Sequence, residues 1–223
     1  MTNKHVELIR ADLHLHTNRS SDGGIAPERL VEIARRRGLD CIAVTDHNTI
    51  EAAQELVNET SLRVIVGEEV KSDAGEIIGY FLQEPIPKGL PPLEVVRRIK
   101  EQGGLVCVPH PFDRLRQSVL RRSALREILP YVDIIEGFNS RCVIPQDNGR
   151  ARHFAAEHGL ACSAGSDAHI GYEVGRGIVE MAPFEGPEEF LQSLRHATIR
   201  GRLSVALVHF ASTWNKWRRP RRI

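Results

Sequence analysis

Short apolar runs alternate with amphipathic stretches along almost the whole chain. The apolar runs are bounded by glycine, proline and acidic residues, a pattern that predicts buried strands. Strands separated by helices are typical of an α/β fold with a mostly parallel sheet. The strands are predicted at residues 6–13, 40–45, 63–67, 76–82, 104–109, 132–137, 160–164 and 177–181.

Four stretches between these runs have the apolar spacing of helices, namely PERLVEIARRRG, PPLEVVRRIKEQGG, GRARHFAAEHG and GPEEFLQSLRHA. The first two begin with Pro27 and Pro92 and end at Gly38 and Gly103, as helices commonly do. No repeat, linker or break in composition divides the chain. We therefore expect one domain over residues 1–210, followed by a basic tail at 211–223 that is either an interaction arm or a poorly ordered end.

Composition and net charge do not indicate a binding partner, so the partner has to be inferred from the residues of a functional site. The 223 residues include 41% hydrophobic and 26% charged residues and carry a formal net charge of +1. That balance creates no overall field for nucleic acid or membrane, and the modest arginine set predicts no extended nucleic-acid groove. No apolar run reaches the roughly 20 residues of a membrane span. The polar start MTNKHVELIR lacks a signal-peptide core, so we expect a cytoplasmic protein without a membrane partner.

The four cysteines are widely spaced and form no CxxC pair. Cys41, Cys107 and Cys162 lie in or beside apolar runs. We expect all four, Cys142 included, to be reduced core residues rather than disulfide partners or zinc ligands.

Polar side chains stand where five of the predicted strands end, in the motifs DLHLH, TDH, GEE, PHP and GSDAH. The carboxyl ends of parallel strands meet at one rim, so residues distant in sequence come together there. Side chains two residues apart on a strand share a face, which pairs His14 with His16 and Asp167 with His169.

Imidazoles and carboxylates together form a ligand set for zinc, manganese or iron. Each residue alone has a simpler interpretation: Asp22 shapes a turn, and Asp46 or Asp167 caps the following helix. Gathered at one rim, so many ionisable groups are costly to desolvate unless a cation or substrate compensates. The set therefore predicts a metal site.

The ordered motifs DLHLHT…SDG, AVTDHNT, GEE, PHP and GSDAH resemble the signature of the PHP superfamily, the polymerase and histidinol phosphatase domains. The resemblance implies a distorted (β/α)7 barrel with the metal site at the carboxyl rim of the strands. It implies about two to three divalent ions (Mn, Zn or Fe) and hydrolysis of phosphoesters. Because no polymerase region is present, a stand-alone phosphoesterase is implied.

Position by position, the resemblance implies metal ligands at His14, His16, Asp22, His47, Glu69, His110, Asp167 and His169. The chain departs from the family at Glu76 in EIIGY, where many relatives have a histidine; a carboxylate can also ligate, so Glu76 is retained as a candidate. Strand alternation predicts that Glu69, and not Glu68, faces the rim.

The implied reaction is attack on phosphorus by a metal-activated hydroxide. His47, His169 and Asp167 are the candidate catalytic residues. His47 or His169 protonates the leaving oxygen if it is not fully occupied as a metal ligand, and the ligand role is the favoured one. Cationic side chains near the motifs are candidates for binding the substrate phosphate: Arg19, Lys71, Arg114 and Arg141. Asn139 and Glu136, at another strand end, are expected to position ligands or substrate.

The substrate stays open between a small phosphorylated metabolite, a nucleotide and a short oligonucleotide. Two other functions also stay open. A histidine-rich rim can activate water against an amide or ester, and a barrel can lose its chemistry and serve as a metal-stabilised binding module.

Overall fold

The computed structural model describes residues 7–204. The first predicted strand therefore begins outside the described residues, and the basic tail at 211–223 lies wholly outside them. The strands are β1 Ile9–Leu15, β2 Cys41–Val44, β3 Arg63–Ser72, β4 Gly75–Tyr80, β5 Leu105–Val108, β6 Ile134–Asn139, β7 Ala161–Gly165, β8 Gly177–Met181 and β9 Thr198–Gly201. The helices are α1 Pro27–Arg36, α2 Glu51–Glu59, α3 Pro92–Glu101, α4 Arg122–Ile128, α5 Pro145–Glu157 and α6 Pro187–Arg195, with a 3-10 turn at Leu129–Tyr131.

The nine strands form one sheet in the order β7-β6-β5-β4-β3-β2-β1-β8-β9. The ends of this sheet curl toward each other into a nearly closed barrel. An isolated parallel bridge joins Leu15 to Ala168, just beyond the end of β7, and the Asp167 amide donates to the His14 carbonyl at 2.8 Å. The predicted distorted barrel is thus confirmed.

The sheet is less parallel than the sequence suggested. β4 pairs antiparallel with both β3 and β5, and β8 pairs antiparallel with β1 and β9. β3 extends to Ser72, five residues past its predicted end, because its second half forms a hairpin with β4. The GEE motif therefore lies within a strand and not after one.

Helices α2 and α4 and the short strand β9 had no counterpart in the predicted elements. β9 is largely exposed and lacks a buried apolar run, so hydrophobic periodicity could not reveal it.

A single apolar cluster fills the barrel, with members from β1 to β8 such as Leu13, Ala43, Ile78 and Cys107. Phe190 of α6 joins this cluster and packs against Tyr80. Separate clusters bury the helices against the outside of the sheet. The packed interior leaves the polar residues at the rim.

Candidate metal centre

Two β-bulges shape the rim. Between Asp12 and Leu15, β1 uses one residue more than its partner β2, whose Ile42 and Val44 oppose those two residues. Such a bulge changes the face on which the following side chains lie. Leu15 packs outward in the helix-facing cluster, and His14 faces the rim. A second bulge in β6 follows Glu136.

The centre of the rim contains two histidines and two carboxylates. Nε2 of His14 and Nε2 of His16 are 3.1 Å apart. The Glu69 Oε2 atom lies 3.5 Å from the first nitrogen and 3.4 Å from the second. Oδ1 of Asp167 is 3.4 Å from His16 Nε2. All four side chains are buried, so four groups with ligand atoms face one small volume.

His47, Asp22 and His169 extend this centre toward solvent. His47 Nδ1 lies 3.1 Å from Glu69 Oε2, and its Nε2 lies 3.6 Å from Asp22 Oδ2. The other oxygen of Asp22 is 3.4 Å from His169 Nε2. His47 has 18% of its side chain exposed, more than Glu69, Asp22 or His169.

His110 and Glu76 complete the opposite side. His110 Nε2 is 3.0 Å from Glu69 Oε1 and 3.7 Å from Glu76 Oε2. Glu76 Oε1 lies 3.9 Å from His47 Nδ1. Glu69 therefore contacts both sides, whereas Glu68 points away and accepts a hydrogen bond from the Ile86 amide at 2.7 Å. As strand alternation predicted, Glu69 faces the rim and Glu68 does not.

Two of these residues have left-handed backbone conformations that non-glycine residues rarely adopt. The φ angle is 32° at His110 and 53° at Asp167. Such conformations cost free energy and persist where the surrounding structure demands them. At this rim, they turn an imidazole and a carboxylate toward the common centre.

Gly165 allows β7 to approach β1 closely. A side chain there would place its Cβ atom 2.2 Å from the His14 Cβ and 2.9 Å from a carboxylate oxygen of Glu136. Only glycine therefore permits the contact between His14 and Glu136, whose Nδ1 and Oε1 atoms are 2.9 Å apart.

Burial and neighbouring charges shift the pKa values of the cluster in opposite directions. Burial, helped by the nearby His169 and His47, lowers the pKa of His16 to about 3, so this imidazole is neutral. Burial also acts to lower the pKa of His47, but the carboxylates of Glu69 and Asp22 outweigh it and raise that pKa to about 9.

The pKa values of the carboxylates are also set by burial acting against neighbouring charges. Burial acts to raise the pKa of Glu69, but His14 and His47 hold it well below its usual value. At Asp167, burial is likewise outweighed, here by Arg116 and His14, and the pKa is again well below its usual value. Metal ligands must be neutral imidazoles and ionised carboxylates. His16, Glu69 and Asp167 already have that protonation state, whereas His47 would release its proton on binding a metal.

The donor set fits divalent ions. In residues 7–204, one buried oxygen of each of Glu69, Glu76 and Asp167 accepts no hydrogen bond, which is costly for a carboxylate unless a cation meets it. Three sets of ligand atoms each lie within 4.8 Å of one another: His16, His47 and His169; His14, His16 and Glu69; and His47, Glu69 and Glu76. They share members, as ligands of a multinuclear centre do.

Further buried polar residues contact the candidate metal ligands on the side away from the pocket. Asn139 is fully buried and donates through Nδ2 to Glu136 at 3.0 Å and to Asp167 at 3.2 Å. Glu173, which the motif-based prediction did not include, accepts a hydrogen bond from the His169 amide and lies 3.2 Å from Arg141 Nε. These contacts restrict the orientation of the candidate ligands.

A pocket of about 800 Å³ opens above the cluster. Asp22, His47, Glu76 and His169 line it together with cationic residues from three segments of the chain. These cationic residues are Lys71, Arg116, Arg121 and Arg141.

The structure separates the candidate phosphate-binding residues into two groups. Lys71 and Arg141 line the pocket, but Arg19 does not and instead forms an ion pair with Glu55 on the surface. Arg114 is also directed elsewhere, to the buried carboxylate of Asp147. Asn139 lies beneath the pocket and contacts the ligands, not the open space.

Arg116 was not among the predicted residues. Its guanidinium lies 2.5 Å from Asp167 Oδ2 and is only 18% exposed. The two residues are 51 positions apart, and no motif in the sequence marks Arg116; the only sequence signal was its position after the PHP motif. Arg121 was missed for the same reason.

No helix among the described residues has the length and apolar character of a membrane span.

Comparisons with known proteins point to one family. Residues 145–199 match the family model described as PHP-associated. An uncharacterized protein of Methanocaldococcus jannaschii is 35% identical over 201 residues, which cover 85% of this chain and 81% of that protein.

Two solved structures share the fold at low identity. One is a two-domain protein of Bacteroides vulgatus containing a predicted PHP-like metal-dependent phosphoesterase. It has a TM-score of 0.66 and 19% identity, and the match covers 87% of this chain and 65% of that one. The other is a lesion-specific endonuclease of Pyrococcus furiosus, with a TM-score of 0.60 and 16% identity over 86% of this chain and 57% of that one.

Proposed function

Because the chain belongs to the PHP superfamily, we propose that it is a metal-dependent phosphoesterase acting on a small phosphorylated metabolite, a nucleotide or a short oligonucleotide. One observation carries the proposal: candidate metal ligands and cationic side chains line the same pocket of about 800 Å³. Carboxylates and imidazoles suit divalent ions, and guanidinium and ammonium groups suit the phosphate they would share.

Nine residues would hold the ions: His14, His16, Asp22, His47, Glu69, Glu76, His110, Asp167 and His169. Glu69 is suited to a bridging role because its two oxygens face different histidines, His110 on one side and His47 on the other. When bound, divalent ions lower the pKa of a water molecule and neutralise the charge of the phosphoryl group.

The chain's own groups would orient the substrate. Lys71, Arg116 and Arg141 offer positive charge on the pocket wall to the phosphoryl oxygens. Arg116 and Arg141 have mostly buried side chains, so their guanidinium groups are held in place and lose little freedom on binding.

Proton transfer to the leaving oxygen would fall to whichever of His47 and His169 is not fully occupied as a metal ligand, since both line the pocket. His47 is the better placed of the two because 18% of its side chain is exposed, compared with 4% for His169. Asp167 holds Arg116 and contributes to catalysis by fixing this charge beside the pocket.

The comparisons support a phosphoester substrate without naming one. The protein of M. jannaschii is itself uncharacterized. The Pyrococcus furiosus neighbour is a lesion-specific endonuclease, which supports retaining oligonucleotides among the candidates.

The experiment is a substrate panel assayed with manganese, zinc or iron after removal of bound metal by a chelator. Phosphomonoesters, nucleotides and short oligonucleotides are compared with amide and carboxylic ester substrates. Release of phosphate or nucleotide by the wild type, and its loss in Arg116→Ala with metal content unchanged, would support the proposal. Turnover of an amide or ester but of no phosphoester would replace it with the other hydrolase function, and bound metal without any turnover would favour the binding module.

A further inference from the structure

Seven arginines gather on one face of the barrel, outside the pocket. Arg29, Arg36 and Arg37 line a depression of about 660 Å³ along α1. Arg10, Arg176, Arg200 and Arg202 line an adjoining depression of about 500 Å³, and Arg37 belongs to both. We call these seven residues the arginine face. Neither depression is lined by an acidic residue.

Much of this positive charge is not neutralised. Glu32 pairs with both Arg29 and Arg36, and Glu180 pairs with Arg200. Within residues 7–204, the other four arginines of the face form no ion pair with a carboxylate. Concentrated on one side of a chain with a net charge of only +1, they create a local attraction for anions.

Two of these arginines are fixed in position by carbonyl groups. Arg10 Nη1 donates to the carbonyls of Arg37 and Gly38 at 3.1 and 3.0 Å. Arg176 Nη1 donates to the carbonyl of Leu203 at 3.0 Å. A carbonyl orients a guanidinium but leaves its charge uncompensated, so the face is organised before any ligand binds.

An exposed aromatic ring contacts one arginine of the arginine face. Tyr172 is 51% exposed, in the loop that packs against α1 where Gly171 meets Ile33. The Arg176 guanidinium carbon is 4.2 Å from the centre of the Tyr172 ring. A ring held beside cations can stack on a nucleic-acid base while arginines contact the neighbouring phosphates.

The arginine face adjoins the rim of the candidate metal centre. The Gly24 amide, which lines the 660 Å³ depression, donates to the carbonyl of His169 at 2.8 Å. His169 lines the pocket. A chain of phosphates leaving the pocket at this point would enter the depression that Arg29, Arg36 and Arg37 line.

We propose that the arginine face binds single-stranded nucleic acid, with phosphates on its arginines and a base stacked on Tyr172. A single strand is favoured over a duplex because its bases are free to stack on the exposed ring. The modest arginine content of the sequence suggested no extended groove, but the fold assembles these arginines from β1, α1, β9 and the segments next to α1, β8 and β9. The inference goes beyond the proposed function, since binding a strand does not require its hydrolysis.

The test is fluorescence anisotropy with a labelled single-stranded oligothymidylate of about 12 nucleotides, its integrity checked by gel electrophoresis. The variant Arg37→Glu with Arg202→Glu should weaken binding about tenfold or more. Two lost phosphate contacts should also reduce the magnitude of the log Kd against log salt slope by about 1.4. The matched control, Arg126→Glu with Arg195→Glu, reverses two exposed arginines outside the face and should bind like the wild type.

A second pair of variants separates stacking from charge. Tyr172→Ala should weaken binding of the single strand about fivefold or more, whereas Tyr131→Ala, with a ring of matching exposure at 50%, should not. Thermal midpoints like that of the wild type would show that the variants are folded.

Several results would overturn the inference. One is an unchanged oligonucleotide affinity in the Arg37→Glu, Arg202→Glu variant, and another is an equal loss of affinity in its Arg126→Glu, Arg195→Glu control. A third is an equal loss of affinity in Tyr172→Ala and Tyr131→Ala. If the Arg37→Glu, Arg202→Glu variant lost the wild type's binding to phosphatidylserine vesicles but kept its oligonucleotide affinity, the face would be assigned to a lipid surface instead. Binding is measured without turnover, so a chain that hydrolyses no phosphoester but binds the strand through this face would retain the inference and refute only the proposed function.

Discussion

His14 Nδ1 and Glu136 Oε1 lie 2.9 Å apart although 122 positions separate the two residues in the sequence. The contact fixes the ring so that Nε2 faces Glu69 and Asp167. A carboxylate behind a histidine ligand sets its tautomer and raises its basicity. The pair therefore links the fold of the barrel directly to the chemistry of its rim.

Glu136→Gln should weaken metal binding about 10- to 100-fold because an amide of similar shape lacks the negative charge that orients His14. Metal affinity is measured by competition with a fluorescent chelator. Glu157→Gln, at an exposed position of α5, is the control and should bind metal like the wild type. Equal affinities in all three proteins would show that Glu136 does not support the ligand.

Glu76→Ala should remove one part of the bound metal and leave the rest. The expected loss is partial because Glu76 belongs to the ligand group with His47 and Glu69 but not to the group with His14 and His16. Elemental analysis measures the loss, with the exposed Glu59→Ala as control, and Glu76→His should restore the metal by returning an imidazole. Full metal content in Glu76→Ala would show that Glu76 is a structural residue and not a metal ligand.

Tyr80→Phe should destabilise the fold by about 1–2 kcal/mol, since the Tyr80 hydroxyl donates to the Leu13 carbonyl at 2.8 Å inside the barrel. The free energy of unfolding is obtained from urea titration. Tyr131→Phe, at a half-exposed ring, should change it by less than about 0.5 kcal/mol. A Tyr80→Phe chain as stable as the wild type would mean that this hydrogen bond across the barrel contributes nothing.

The four cysteines should resist thiol reagents while the chain is folded. Burial raises the pKa of Cys41 to about 12 and that of Cys162 to about 11, and it also raises the pKa of Cys107 and Cys142. A raised pKa leaves less reactive thiolate at about pH 8 than an ordinary cysteine would have, and unfolding restores it.

Titration with Ellman's reagent checks this directly. The native chain should react slowly, and the chain in guanidinium should give four thiols at once. Cys162 should be the first to react in the native chain, because it is partly exposed whereas the other three are buried. Rapid reaction of all four in the native chain would contradict the core assignment.

The pattern of strands and motifs predicted an α/β fold and the approximate position of the rim because strand ends and polar motifs are local features, whereas the distorted barrel was implied by the resemblance to the PHP superfamily. The pattern also predicted the orientation of Glu69, which follows from alternation along one strand. The bulge after Asp12 was not predictable, since it is defined by the pairing of β1 with β2.

The pairings between distant residues explain the other differences. The antiparallel hairpin of β3 and β4 carries Lys71 and Glu76 opposite each other, but its strands were predicted as separate units. Arg116 reaches Asp167 across 51 positions, and the arginine face combines residues from both ends of the described chain. None of these contacts leaves a periodic signal in the sequence.

The most direct test of a multinuclear metal centre is elemental analysis and phosphate release in the same samples of wild type and of His14→Ala with His16→Ala. We expect about two to three divalent ions per wild-type chain. The double variant should lose its metal and its phosphate release together, and added metal should restore phosphate release to the chelated wild type. A double variant that retains both its metal and its turnover would contradict a multinuclear metal centre built on His14 and His16.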